Sequence, residues 1–308
     1  MDQQKPSFNP AVITKEKLRI LVAFLMVLLG VATYIFGMQV IYLTLVSIAI
    51  AIVIEVAFSK IRKRPLDHGI LVTPLMIALL MPPTAPLWLV LIASGFGVFF
   101  GKAIFGGLGR NIFNPAAVGY LFVIISFPAQ MATQWLNPRT DAISSATPLI
   151  NLNAGNASDF TIWELLLGNV PGTLGETFRL GIIVLGIALI VLKIADWRIP
   201  TFTILSVFVF TAIGHLAFPS TFTVEPLISL FVGGLMFGAF FVATDPVTAP
   251  LNKNGKIIYA VGIGLITVLI RNMAAFPEGI IFAVIIMNAV APLIDHYLQK
   301  TDEKESFA

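Results

Sequence analysis

Few side chains in this sequence can do chemistry, and they fall into three groups. The first is a hydroxyl-rich string, Asp141-Ala142-Ile143-Ser144-Ser145-Ala146-Thr147-Pro148-Leu149. Pro148 disfavours helix at the residue before it, and Ser and Thr compete for local backbone hydrogen bonds, so the string reads as an exposed turn. Covalent modification is the chemistry its hydroxyls offer. The second group is a pair of carboxylates in apolar surroundings, Asp245 in Thr244-Asp245-Pro246 and Asp295 near the end of the last apolar stretch. Charges in such places are costly, which points to ion coupling or to hydrogen bonding with a ring ligand. The third is Arg110, Asn111 and Asn114, just before Pro115, whose donors could serve a ligand or the carbonyls of a broken helix. No residue stands out as catalytic. Cysteine is absent and the three histidines, His68, His215 and His296, lie far apart. Thiolate metal sites, iron–sulfur ligation, disulfides and paired-histidine metal sites are therefore excluded, and any redox chemistry must be carried by an organic cofactor.

The elements that position these groups follow from composition. Of 308 residues, 57% are hydrophobic and only 11% charged, against about 25% charged in soluble domains. The chain reads as an all-α polytopic membrane protein. A bilayer span takes roughly 20 apolar residues. Cutting at charges, Pro and Gly gives ten apolar segments, near 20–38, 40–58, 67–81, 86–105, 113–131, 178–195, 199–218, 224–243, 257–271 and 277–297. The first is expected to be an uncleaved span, since no small-residue cleavage site follows Lys5, Lys15, Lys17 and Arg19. With the N-terminus inside, sixteen of the 19 Lys and Arg residues fall on the cytoplasmic side, leaving Arg139, Arg179 and Arg271 outside. That bias supports both the span count and the orientation, with both termini cytoplasmic. The basic residues are scattered among short loops and not gathered on one face, so nucleic acid is not the expected partner; the lipid bilayer is.

Two strings recur at matching places. Pro82–Leu87 reads PPTAPL and Pro246–Leu251 reads PVTAPL, while Arg110-Asn111 is echoed by Arg271-Asn272. The offsets, 164 and 161 residues, point to a duplicated five-helix unit: residues 1–131, a polar loop 132–177, and residues 178–308, in one membrane domain. Because five is odd, the copies must be inverted. Inverted repeats place a site between the halves where broken helices expose backbone groups, and they are also the mark of channels and secondary transporters. Gly101, Gly106, Gly107 and Gly109 with Pro115, and Gly233 and Gly234 with Pro246 and Pro250, are the expected breaks. The loop 132–177 is expected outside the cytoplasm. Within it Thr161 and Glu164 have capping-box spacing, predicting a short helix over 162–167 ended by Gly168.

The residues also carry a resemblance. DAISSATPL resembles the D-x-x-S/T-G/S-A-T motif on which a flavin transferase joins the phosphate of FMN to the final threonine. GRNIFNPAAVGY at 109–120, ATDPVTAP at 243–250, FPEG at 276–279 and APLID at 291–295 are similar to the family containing the D subunit of the Rnf complex and the B subunit of the sodium-pumping NADH:quinone reductase. The similarity spans residues 65–297, and the Rnf type is favoured because its reductase counterpart usually has a longer extension before its first span. The resemblance implies covalent FMN on Thr147, with Asp141, Ser144, Ser145 and Ala146 as the recognition sequence. Many members have Gly where this chain has Ser145. It implies a second, noncovalent flavin, typically riboflavin, for which Arg110, Asn111, Asn114 and Asp245 are the candidate ligands. Asp245 and Asp295 are the candidates for ion coupling. It further implies electron relay between reduced ferredoxin and NAD coupled to Na+ or H+ translocation across the cell (inner) membrane. The partners would be an extracytoplasmic FMN-bearing subunit, iron–sulfur membrane subunits and a NAD-reactive subunit, because this chain has no iron–sulfur ligands and no dinucleotide fingerprint of its own.

Overall fold

A chain in hydrocarbon must satisfy its backbone polar groups internally, and these apolar stretches do so by forming helices. The computed structural model describes residues 14–132, 135–137, 143–144, 147–154, 160–168, 170–274, 276 and 278–306. The first half comprises α1 (Lys15–Phe36), α2 (Gln39–Arg62), α3 (Val72–Leu80), α4 (Leu87–Val98, prolonged by a π-helical turn over Phe99–Ala103) and α5 (Pro115–Ser126). The connecting region holds α6 (Pro128–Ala132), strands β1 (Trp135–Leu136) and β2 (Ile143–Ser144), α7 (Pro148–Asn153) and α8 (Ile162–Leu167). The second half is α9 (Arg179–Val191), α10 (Arg198–Ala217), α11 (Pro226–Phe231), α12 (Leu235–Phe237, prolonged by a π turn over Gly238–Val242), α13 (Lys253–Met273) and α14 (Ile280–Ser306).

Five of these helices, α1, α2, α10, α13 and α14 over Ile280–Leu298, are long and apolar enough to cross a membrane, and three shorter apolar helices accompany them. The protein is a multi-pass all-α membrane protein. Large apolar side chains on the outer faces of α1 and α2, among them Val27, Tyr34, Leu45 and Val53, are exposed, as lipid contact requires.

Five segments fall short of the expected full spans: those of α4, α5 and α9 are shorter than a span, and two others depart further. The third apolar segment shortens to the nine residues of α3, and the eighth divides into α11 and α12. The reason is enclosure. Every residue of α3 from Thr73 to Leu80 is buried, so protein, not lipid, surrounds its ends. The N–H groups of Leu174 and Gly175 donate to the carbonyls of Met81 and Leu79, at 3.0 and 2.6 Å. Irregular backbone at membrane depth is tolerated where protein satisfies it. The predicted short helix appears as α8, with the reciprocal Thr161–Glu164 capping box in place and Gly168 ending it at φ +89.

In each half the fourth helix lies between the second and the fifth: α4 between α2 and α5, α13 between α10 and α14. The two halves meet through α5 and α14 and through α1 and α9. Chain connectivity gives the bundle two ends. One, the basic end, carries Arg62–Arg64, Lys102, Lys193 and Lys256. The other, the loop end, carries the 132–177 connection.

The backbones of α4 and α5 approach each other closely. A Cβ at Gly97 would lie 2.5 Å from the Pro115 carbonyl oxygen, and one at Gly119 would run into the Ala93 carbonyl. Close backbone approach over small residues is how helices associate where lipid removes the hydrophobic drive. Gly119→Ala is expected to destabilise the purified protein by about 1–3 kcal/mol through overpacking. Gly30→Ala, with nothing within 4 Å of the added methyl, should be neutral. Thermal unfolding in detergent checks both.

Candidate functional site

The sequence-derived residues Arg110, Asn111, Asn114 and Asp245 come together at the basic end, where both halves are interrupted. Asn114 is the N-cap of α5. Its Oδ1 accepts from the N–H groups of Ala116 and Ala117, at 3.0 and 3.2 Å. Pro115 at the first helical position has no N–H to satisfy, so the cap covers the donors that remain. The Asn114 side-chain amide donates to the carbonyl of Val242, the last residue of the π turn after α12, at 3.2 Å, and to Asp245 at 3.5 Å. Its backbone N–H donates to Asn288 Oδ1 of α14 at 3.1 Å. The Asn288 amide in turn donates to the Tyr259 hydroxyl at 2.8 Å and the Thr248 carbonyl at 3.3 Å. Asp245 folds back on its own turn, accepting from Val247 N–H at 3.0 Å.

Asn114 and Asp245 border a cavity between the halves. Lys102, Asn111, Asn114, Thr244 and Asp245 supply its polar wall, and Leu21, Met76, Leu189 and Phe241 its apolar wall. Asn111 donates its amide to Phe113 O at 3.1 Å, while its buried Oδ1 has no partner. A second, more polar cavity lies beside the first and shares Asn111 and Pro246 with it. Arg110 and Asp295 line it, and Thr248, whose hydroxyl is also buried without a partner, faces it. Asp295 is committed to backbone. Its carboxylate accepts from Leu251 N–H at 3.1 and 2.9 Å and from Asn252 N–H at 3.2 Å, capping the segment that enters α13.

Thr147 sits at the opposite, loop end, so the structure does not bring it to the other predicted residues. Its backbone is extended (φ −81, ψ 165), and its hydroxyl caps the six-residue α7 through a long contact of 3.4 Å from Ile150 N–H. Contrary to the exposed turn expected from its sequence, Thr147 is buried, because it caps α7 against the bundle, and it borders a small cavity with Tyr120, Thr173, Glu176, Gly233 and Glu278. Ser144 lies in β2, paired antiparallel with Trp135. Asp141, Ser145 and Ala146, like Arg139, lie outside the described residues.

Two charged clusters escape the sequence reading. At the basic end, Lys102 in the π turn after α4 is almost fully buried against Glu55 of α2, with Asp67 at 3.6 Å. As a lone cation in FFGKAIF it is easily taken for a topology marker. At the loop end, Arg271 donates to the carbonyls of Ser229 and Val232, at 2.9 and 3.1 Å, and lies 3.6 Å from Glu278. Arg179 donates to Leu165 O at 2.8 Å. Glu278 accepts from Gly234 N–H at 2.7 Å. Gly233 takes φ +66 there, and a Cβ on it would lie 2.5 Å from Glu278 Oε2. The arginines thus serve carbonyls left open where α8 and α11 end. The available signal was charge inside otherwise apolar context, as in FRLG and FPEG.

A multi-pass helical bundle, interrupted in both halves and holding polar cavities at both ends, is the class of protein these features define. The chain belongs to the NQR2, RnfD, RnfE family, whose model matches residues 3–304. It is 35% identical over 311 residues to the D subunit of the ion-translocating oxidoreductase complex of Shewanella frigidimarina (strain NCIMB 400), covering 88% of each chain. It is 34% identical over 279 residues to the D subunit of the Na(+)-translocating ferredoxin:NAD(+) oxidoreductase complex of Acetobacterium woodii, covering 88% of this chain and 85% of that one. To the B subunit of the Na(+)-translocating NADH-quinone reductase of Ectopseudomonas mendocina it is 38% identical over 263 residues, covering 82% of this chain and 65% of the other.

Removing one partner of a buried ion pair leaves an uncompensated charge, at a cost of about 3–5 kcal/mol. Lys102→Met is therefore expected to lower stability by about that much, and adding Glu55→Leu should recover a large part of the loss. Denaturation of the three variants in parallel measures the coupling.

Proposed function

We propose that the chain is the membrane flavoprotein subunit of an Rnf-type complex, relaying electrons between reduced ferredoxin and NAD coupled to Na+ or H+ translocation, with FMN held by a phosphoester on Thr147. The observation that carries this reading is the string DAISSATPL, whose threonine stands on extended backbone beside a cavity at the end opposite the basic loops. Among the described residues its hydroxyl makes one long cap contact to a short helix, and because the residue is buried modification requires that its cover open to the transferase. The names of the Shewanella and Acetobacterium relatives agree with this reading. The Ectopseudomonas relative favours, as a second reading, the B subunit of a sodium-pumping NADH:quinone reductase.

In the proposed orientation the basic end faces the cytoplasm of the cell membrane and Thr147 faces away from it. The five-helix halves are inverted copies, an assignment supported by the recurring PPTAPL and PVTAPL strings and by the matched helix packing. The central cavity is the place for a noncovalent flavin such as riboflavin. A flavin's ring imide offers one donor flanked by acceptors. The residues present suit it chemically: the orphaned Asn111 Oδ1 needs a donor, and the rest of the lining is largely apolar. When bound, flavins supply the one-electron chemistry that no side chain here provides. The chain's own residues orient the ring, exclude water and hold Asp245 at the wall. Of the two carboxylates put forward for ion coupling, Asp245 borders the cavity, whereas Asp295 is occupied as a cap. Electrons must arrive and leave through partner subunits, including an extracytoplasmic one with its own FMN, iron–sulfur membrane subunits and a NAD-reactive subunit. A flavin transferase is needed for maturation.

Denaturing gels of the chain produced with a flavin transferase should show flavin fluorescence that survives, and Thr147→Ala should abolish it. A dark band from the unmutated chain would reject the covalent flavin. Asp245→Asn should leave that fluorescence intact while reducing ion transport per electron or retention of the noncovalent flavin. Unchanged values of both would remove Asp245 from the mechanism.

A further inference from the structure

At the basic end, between the last turn of α9 and the segment leading into α13, the surface opens into a cleft of about 1210 Å³, mouth included. Its floor is apolar, with Ile190, Ile194 and Leu251; its rim is charged, with Lys193, Asp196 and Lys256. Asp196 is shared by two cations, Lys256 at 2.8 Å and Arg198 at 3.2 Å. Partial burial works against the Asp196 charge. The Lys256 hydrogen bond, the Arg198 N–H and the two cations outweigh it and hold the carboxyl below the usual aspartate range. It therefore stays ionised at neutral pH. The rim then carries one negative charge against the two positive charges of Lys193 and Lys256, a surplus of one, with Arg198 beside it on Asp196.

Lys193 holds no ion pair among the described residues. Its backbone is left-handed, at φ +55, a conformation in which glycine would be unstrained and a side chain is not. An outlier of this kind is grounds for asking what the side chain does there. Around the rim, Val191, Leu192 and Ile258 are exposed, and Trp197 is half exposed with Arg198 over its ring at 5.2 Å. Apolar side chains, an indole and cations at one level mark the headgroup boundary of a bilayer.

The occupant must meet all three conditions. A small soluble anion would leave the Ile190–Ile194–Leu251 floor in water. A zwitterionic lipid would leave the surplus charge without a partner. We propose that this cleft binds an anionic phospholipid, its phosphate held between Lys193 and Lys256 and an acyl chain lying on Ile190, Ile194 and Leu251. Basic recesses between helices on the cytoplasmic side of membranes suit such headgroups. The cleft shares Ile194, Ala195, Thr244 and Pro246 with the central cavity, so the lipid would also close that cavity's lateral wall.

Native mass spectrometry of the purified full chain tests this, with phosphatidylglycerol and phosphatidylcholine supplied at equal concentration. Selective retention of phosphatidylglycerol is expected, with Lys193→Gln weakening it about fivefold, as one interfacial lysine should. Lys193→Arg should restore it, and millimolar inorganic phosphate should not displace it. Equal retention of the two lipids, or Lys193→Gln behaving as the parent with unchanged thermal stability, would overturn the proposal. So would displacement by phosphate, or shielding of Lys193 from amine-reactive labelling in the delipidated complex, which would place a protein there.

Discussion

A carbonyl or N–H without a partner in hydrocarbon costs several kcal/mol, and that penalty governs this fold more than any single contact. Two helices stop inside the bundle, α3 and the rod formed by α12 with its π turn. Each stop is answered by a polar group delivered from another part of the chain. The backbone of Leu174 and Gly175 answers the end of α3, and the Asn114 side chain answers Val242 at the end of the π turn. Arg179 and Arg271 do the same for the carbonyls left where α8 and α11 end. One of these groups, Asn114, also walls the central cavity, so at that point satisfying the backbone and building the site coincide.

The two ends use charge differently. At the basic end a lysine is buried among carboxylates, Glu55 and Asp67, and a neighbouring cavity keeps unpartnered oxygens on Asn111 and Thr248. At the loop end the arginines donate to backbone, and Glu278 is drawn onto Gly234. The basic end therefore has acceptors to spare for a ligand that donates.

Much of this was legible from residue type alone. Each of the ten apolar stretches carries helix, although only five form helices of spanning length, and Thr161, Glu164 and Gly168 specified α8 down to its caps, because capping chemistry is local. The breaks at Gly233 and Gly234 and around Asp245 were visible as Gly and Pro in apolar context. What could not be seen was any pairing between distant segments. Glu55 and Lys102 are 47 residues apart and Asn114 and Asn288 are 174 apart, and a single sequence gives no distance between such residues. The length of α3 was also hidden, since a span rule assumes lipid contact that a fully enclosed helix does not have. Asp295 looked free because its partners are main-chain N–H groups, which no sequence motif announces.

Asn114 ties α5 to α14 through Asn288 and to the α12 rod through Val242, and so stitches the two halves along a seam in the low-dielectric interior. Swinging one half as a rigid body against the other would have to break those hydrogen bonds and re-satisfy their donors elsewhere, so each bond weighs against such a motion and ties the geometry of the seam to the cavity it borders.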